Sequence, residues 1–382
     1  MRDKAKRQSD TADYIICVAV LIQSALVIFQ HILMGIFHID PEETTVYRVV
    51  MTAIPMTIAI ILAVLRKPIL FIITYLIALS ILLFHAVIFP SNLEYILDEG
   101  FRFLLPLVLS SALCLITVRD ISIVEKSAEI VSWITALFVF IYVFAFLRGR
   151  FSIDSYSMGF SYGCLFPMLI LYTRGRMLSK VVSIILFFIV LSIGSRGAAF
   201  VFVFFVAFDM FRSHNRFRWV AFAAGMLLVL LLPEVISFLG TLGINSRTLF
   251  LLNEGNIYYT SGREEIYAQT ITVLKDNLYL GLGLFGDRAI LGGAYCHNLF
   301  LEIFVDYGFF LGTLIILLGI IALVVSYRAS SSGYRTMWMI FALSGIFPLM
   351  ATSSYLIYNP LAILIGYSVL VCKRHNNISD NL

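Results

Sequence analysis

Apolar stretches of about 18 residues or more recur along this 382-residue chain. Each is long enough to cross the roughly 30 Å hydrocarbon core of a bilayer as a helix. Only 13% of the residues are charged and 60% are apolar, whereas a soluble domain carries about 25% charged residues. The expected fold is therefore all-α, a polytopic membrane helix bundle. The expected spans cover 13–37, 45–65, 69–90, 101–118, 128–147, 157–173, 180–195, 197–211, 219–239, 297–326, 336–353 and 356–372. These account for most of the chain, so residues 1–382 are expected to form a single integral membrane domain with no large soluble part.

The placement of Lys and Arg sets the expected orientation, because these residues collect in cytoplasmic loops. The N-terminal tail carries Arg2, Lys4, Lys6 and Arg7. Alternate loops after it carry Arg66 and Lys67; Arg119 and Lys126; Arg174, Arg176 and Lys180; Arg212, Arg216 and Arg218; and Arg328 and Arg335, and the C-terminal tail carries Lys373 and Arg374. The intervening loops are acidic, with Asp40, Glu42 and Glu43 in one and Glu94, Asp98 and Glu99 in the next. Both termini are expected in the cytoplasm. The run from Tyr14 to Phe37 lacks a small-residue cleavage site and is read as the first span rather than a cleaved leader. The two short spans around Ser195 also fit a hairpin dipping in from outside. The five cysteines show no metal-ligand spacing and read as small apolar core residues.

Nine basic residues fall on the side this alternation disfavours or within spans. They are Arg48, Arg102, Arg148, Arg150, Arg196, Arg247, Arg263, Lys275 and Arg288. Guanidinium offers a planar fork of donors matching phosphate oxygens, so an outward cluster of Arg suggests an anionic ligand such as a lipid diphosphate. Headgroup contact or pairing with loop acids is the competing reading for Arg48 and Arg102. Arg196 stands out because it sits in Gly194-Ser195-Arg196-Gly197-Ala198 between two apolar runs. A charge there is costly and points to function.

Residues 240–296 are expected to form one large external loop containing a short helix. In Ser261-Gly262-Arg263-Glu264, Ser261 can cap a helix whose Glu264 completes a capping box. Ile266, Thr270, Val273, Leu274 and Leu278 then recur at helical spacing. Arg263 would lie in the first turn, where unpaired N–H groups and the helix dipole already favour an anion. Gly281-Leu282-Gly283-Leu284-Phe285-Gly286 spells GxGxxG but follows a helix, so it reads as a glycine-rich turn rather than a nucleotide loop. The loop closes on Cys296-His297-Asn298, at the mouth of the next span. Neutral imidazole is suited to accept a proton near neutral pH, and an interfacial hydrogen-bonding role is the competing reading of His297.

The order of these motifs resembles the O-antigen polymerase and O-antigen ligase superfamily. The resemblance rests on Ser195-Arg196-Gly197-Ala198, on Ser261-Gly262-Arg263 with the glycine-rich stretch, and on His297-Asn298-Leu299-Phe300-Leu301-Glu302 followed by Tyr307-Gly308-Phe309-Phe310-Leu311-Gly312. It is pointed over about residues 190–315. It implies a bacterial cytoplasmic (inner) membrane protein transferring glycan from undecaprenyl diphosphate on the outer face, without metal or other cofactor. It places His297 as base and Arg196 and Arg263 on the diphosphate, with Arg247 and Arg288 as weaker candidates. Glu302, Asn298 and Ser195 would support the site.

The favoured expectation is an inverting polymerase joining oligosaccharide repeat units into O-antigen, capsular polysaccharide or exopolysaccharide. A ligase moving glycan onto lipid A core and a flippase or transporter stay open, as does a glycosyltransferase using Asp40, Glu42 and Glu43. The expected partners are the lipid-linked oligosaccharide, membrane lipid, a chain-length regulator and a flippase. Nucleic acid is not among them.

Overall fold

The computed structural model describes residues 2–150, 158–193, 196–212 and 263–379, and among them every regular element is helical. The first elements are α1 (Arg2–Leu21), α2 (Gln23–Ile36), α3 (Pro41–Arg66) and α4 (Pro68–Ile88). Next come α5 (Pro90–Ile116), α6 (Ile121–Leu147), α7 (Met158–Thr173), α8 (Met177–Ile193) and α9 (Arg196–Arg212). Then follow α10 (Arg263–Asp276), the short α11 (Gly286–Ile290), α12 (Leu299–Ala329), α13 (Ser332–Ile346) and α14 (Asn359–Ser379).

Each expected span except 219–239, which lies outside the described residues, meets one of these helices. Among the described residues five helices are long and apolar enough to cross a membrane, namely most of α3 together with α4, α5, α6 and α12. The pair α1–α2 makes a sixth if counted as one span, although it bends by 48° at Ile22 instead of running straight over 13–37. The helices α7 and α8 are apolar but shorter. The outer faces need a lipid solvent: Leu65, Ile69, Leu83 and Phe310 are all more than three-fifths exposed.

α5 starts earlier than the expected span 101–118. Its middle, Ile96–Leu109, winds as a π-type helix, so Asp98 and Glu99 are helical rather than loop residues. Proline in the interior of α3, α5 and α7 is tolerated because neighbouring groups in a membrane bundle re-pair the freed backbone.

The helices fall into two compact units. One comprises α1, the later part of α3, α4, α5, the start of α6 and everything from α10 onward. At one end, buried Asp13 pairs with Arg66 and accepts the backbone N–H groups of Arg119 (3.0 Å) and Asp120 (3.2 Å). The Tyr75 hydroxyl bonds Ser110 at 2.5 Å, tying α4 to α5. α14 packs closely because small residues admit its neighbours: a Cβ on Gly366 would press on the Ala112 backbone, and one on Gly345 would press on Pro360. Trp338 of α13 donates its indole N–H towards Ser326 of α12 and Ser368 of α14.

The other unit holds α2, the rest of α3 and α6, and α7, α8 and α9. α7 is buried almost without a break from Cys164 to Leu171, as suits an all-round apolar helix in a bundle centre. Gly163 lets Ile28 of α2 approach, and Ser183 of α8 donates to the Met168 carbonyl at 2.7 Å. His31 sits edge-on to Tyr142 and Phe160. The cysteines are free thiols, and all but Cys372 are buried.

Candidate functional site

The site is built around the start of α12. Asn298 stands in extended backbone at its N-cap and accepts the N–H groups of Phe300 (3.1 Å) and Leu301 (3.2 Å). Glu302 and Asp306, four residues apart and so on one helix face, are both fully buried. Two residues further on the helix breaks at Gly308, whose φ of 73° lies in the left-handed region.

The segment after α10 packs backbone to backbone against that break. Leu282 N–H donates to the Val305 carbonyl at 2.6 Å, and Phe309 N–H donates to the Leu278 carbonyl at 2.7 Å. Gly281 and Gly283 have φ of 67° and 80°. The second sits against the Phe89 ring, where a side chain would overlap. Two polar residues of the α4–α5 corner hold this turn. His85 Nδ1 accepts the Leu284 N–H at 3.0 Å, and Asn92 Nδ2 donates to the carbonyls of Leu282 (2.7 Å) and Leu284 (3.1 Å). The glycine-rich stretch is thus a packed turn.

α11 then carries Asp287 and Arg288 into the interior, both fully buried. The Arg288 guanidinium is met by Asp287 (2.6 Å), Glu302 (2.9 Å), Glu99 (3.1 Å) and the Ser354 hydroxyl (2.6 Å). It lies over the rings of Phe285 (5.1 Å) and Tyr295 (5.5 Å). Burial works against its charge, but Asp287, Glu302 and Glu99 outweigh burial and hold the pKa above the ordinary value. Ser354 also bonds Glu302, which accepts the Tyr355 N–H as well. The Tyr355 hydroxyl donates to Asp306 at 2.5 Å. Burial and Asp306 raise the pKa of that phenol.

His297 lies just outside this cluster. It has φ of 55°, uncommon for a residue with a side chain and the kind of strain that collects at functional sites. Its ring is 4.4 Å from that of Tyr295, whose hydroxyl donates to the Thr352 carbonyl at 3.1 Å. Tyr267, one turn into α10, donates towards the His297 carbonyl at 3.4 Å. Arg263, one turn before it, opens α10. Burial lowers the pKa of His297, the Arg263 charge lowers it further, and the Thr352 backbone and Asp287 oppose the shift. The imidazole is therefore held in the neutral form that can take a proton. Burial raises the pKa of Cys296 beside it, with Asp287 adding to the effect, so that residue stays a thiol.

Of the residues expected at the site, the structure brings together His297, Asn298, Glu302, Arg288 and the start of α10 with Arg263. Arg196 opens α9 in the other unit. Ser195, Arg247 and the capping residue Ser261 lie outside the described residues. Arg288 is no open cation, being wholly enclosed and shared among three carboxylates. The sequence pattern marks Glu99 only as a loop acid and singles out none of Asp287, Tyr295, Asp306, Ser354 and Tyr355. One signal was available, the spacing of two acids one turn apart at the head of an apolar span, where a charge is costly. Among the described residues no His, Cys, Asp and Glu group is arranged to hold a metal ion.

These features define a helical membrane protein with a neutral histidine set over an enclosed ion-pair cluster. The family model described as O-antigen ligase matches residues 181–317, from α8 into α12. Over that stretch, which contains Arg196, Arg263, Arg288, His297 and Glu302, the chain is similar to that family, and the match supports the O-antigen ligase and polymerase superfamily. No curated protein and no solved structure matches the chain.

Proposed function

We propose that this chain is a glycosyltransferase of the bacterial cytoplasmic membrane, a polymerase joining undecaprenyl-diphosphate-linked oligosaccharide repeat units into O-antigen, capsular polysaccharide or exopolysaccharide on the outer face. It crosses the membrane about twelve times, with both termini in the cytoplasm and residues 240–296 outside. The observation that carries this reading is His297, neutral, in strained backbone, and next to the Arg-bearing start of α10 within the matched stretch.

The acceptor hydroxyl attacks the anomeric carbon of the donor from the face opposite the diphosphate. A new glycosidic C–O bond forms, and the bond to the leaving oxygen breaks with its electron pair going to the diphosphate. His297 takes the hydroxyl proton. Arg263, with Arg196 and Arg247, neutralises the charge that develops on the leaving group. Arginine supplies the countercharge, so the mechanism calls for no metal. Attack from the opposite face inverts the anomeric centre. A chain-length regulator and a flippase are the expected protein partners.

A ligase reading is favoured by one observation, the description of the matched family model. The same groups would serve it with a lipid A core hydroxyl as acceptor. Deleting the gene and resolving surface and carrier-linked glycans on a gel separates the readings. A polymerase leaves single repeat units on the usual anchor and no ladder. Full-length chains stranded on the lipid carrier mean a ligase, and repeat units trapped inside the cell mean a flippase. Complementation with His297→Ala, at matched protein levels, should reproduce the deletion, and a restored ladder would remove His297 from the mechanism.

A further inference from the structure

Arg288 is the largest fully buried side chain among the described residues, yet it is more than three residues' distance in the chain from most of what it binds. Packing alone does not explain the choice. A buried ion cluster holds a fold together no better than apolar residues of similar volume, whereas each of its hydrogen bonds fixes a direction. Nor is Arg288 placed to receive a diphosphate, since doing so would displace Asp287, Glu302 and Glu99 from its guanidinium.

Three connections run from this cluster to one residue. Asp287 accepts the Cys296 N–H at 2.9 Å, which pins the peptide leading into His297. The guanidinium lies over the Tyr295 ring at 5.5 Å, and the same ring meets the His297 imidazole at 4.4 Å. Glu302 accepts Ser354 and the Tyr355 N–H, which anchors the strand of chain containing Thr352. The Thr352 carbonyl accepts the Tyr295 hydroxyl, and the same backbone group favours the protonated His297 ring. Asn298, immediately after His297, is fixed as the α12 cap. His297 thus has its left-handed backbone held on both sides, by Cys296 and by Asn298, and its ring set against the Tyr295 ring.

We infer that Asp287, Arg288, Glu302 and Tyr295 are positioning residues that hold the His297 ring in its reactive pose, and that Arg288 acts through them rather than on the diphosphate. The inference rests on the reading of His297 as the base. The groups facing His297 are Arg263 and Tyr267 from α10, Asp287 and Arg288 from α11, Tyr295 from its own segment and the Thr352 backbone.

The test uses the full-length purified protein and two readouts. The first is carbethoxylation of His297 by diethyl pyrocarbonate, followed by peptide mass spectrometry across pH, which needs no activity. The second is kcat and KM with lipid-linked repeat units. Asp287→Asn should lower the pH midpoint of His297 modification, because it removes a carboxylate that favours the ring proton. It should lower kcat at least tenfold while KM stays within about twofold. Tyr295→Phe keeps the ring but frees it from Thr352, and should speed modification severalfold with a similar kcat loss. It serves as the test if Asp287→Asn does not fold. A shifted modification profile supports the positioning role even if His297→Ala retains activity, in which case only the base assignment falls. Unchanged profiles in folded Asp287→Asn and Tyr295→Phe would overturn the inference, whatever the activity.

Discussion

Gly281 and Gly308 meet backbone to backbone. A Cβ on Gly281 would overlap the Val305 carbonyl and the Gly308 nitrogen, and a Cβ on Gly308 would overlap the Tyr279 carbonyl. Both residues also have left-handed backbone. The packed turn and the break in α12 therefore require each other.

A matched pair of substitutions separates the two demands on Gly281. Gly292 has φ of 63° but nothing within 4 Å of its missing Cβ. Gly292→Ala should cost about 1 kcal/mol, the conformational part alone. Gly281→Ala carries that cost plus a backbone collision that no rotamer relieves, and should lower the midpoint of thermal unfolding in detergent clearly further. Equal shifts would mean that the close approach carries no weight.

Removing Arg288 should be worse than removing Arg263. Arg288→Ala leaves three carboxylates facing one another without a countercharge, a loss of about 3–5 kcal/mol for a broken buried ion pair. Arg288→Lys should recover only part of this, because an ammonium cannot span Asp287, Glu302, Glu99 and Ser354 as a planar fork does. Membrane yield and thermal stability of the three variants check the order. Arg263→Ala should lose activity while keeping the fold.

The depressed pKa of His297 fixes the sign of a pH effect. With a folded pKa below the ordinary 6.5, the unfolded chain takes up this proton first as pH falls. The contribution of His297 to stability is thus present above that value and lost as pH drops through the window beneath it. Activity that needs the neutral ring should persist below pH 6.5 and fail only at lower pH. Arg263→Gln removes a charge that lowers the pKa, and should move the pH midpoint of His297 modification by diethyl pyrocarbonate to higher pH, a readout that needs no activity. A midpoint that stays in place would exclude the pairing of these two residues.

Asn92 is one side chain serving two carbonyls, those of Leu282 and Leu284. Asn92→Ala leaves both without this donor in a buried setting, at a cost of about 1–3 kcal/mol. Asn92→Asp should be no better, since it replaces the donor by an acceptor. Hydrogen exchange over residues 281–288 should quicken in both variants ahead of exchange in α5.

Local order was legible in the sequence where a signal is local. The helix Arg263–Asp276 follows the spacing of Thr270 and Leu274, both of which are buried, and Asn298 caps α12 where the apolar run begins. The bend at Ile22 has no proline or glycine to announce it. Glu99 read as a loop acid because its partner Arg288 lies 189 positions away, and Ser354 is separated from Arg288 by 66. Charge spacing along a chain says where ions are unwelcome, but their pairing is decided by folding. The same limit applies to His85, which carries no motif yet accepts the Leu284 N–H across 199 positions.

The break at Gly308 gives α12 two independent registers. In an unbroken helix each inserted residue would turn everything beyond it by about 100°. Here the turns from Leu299 to Tyr307 are fastened by the bond between Val305 and Leu282, and Phe309 just past the break is fastened separately to Leu278, so the rotation stops at the glycine. The long apolar stretch that follows can be lengthened, shortened or recast to suit bilayers of different thickness, while the histidine above it keeps its bearing.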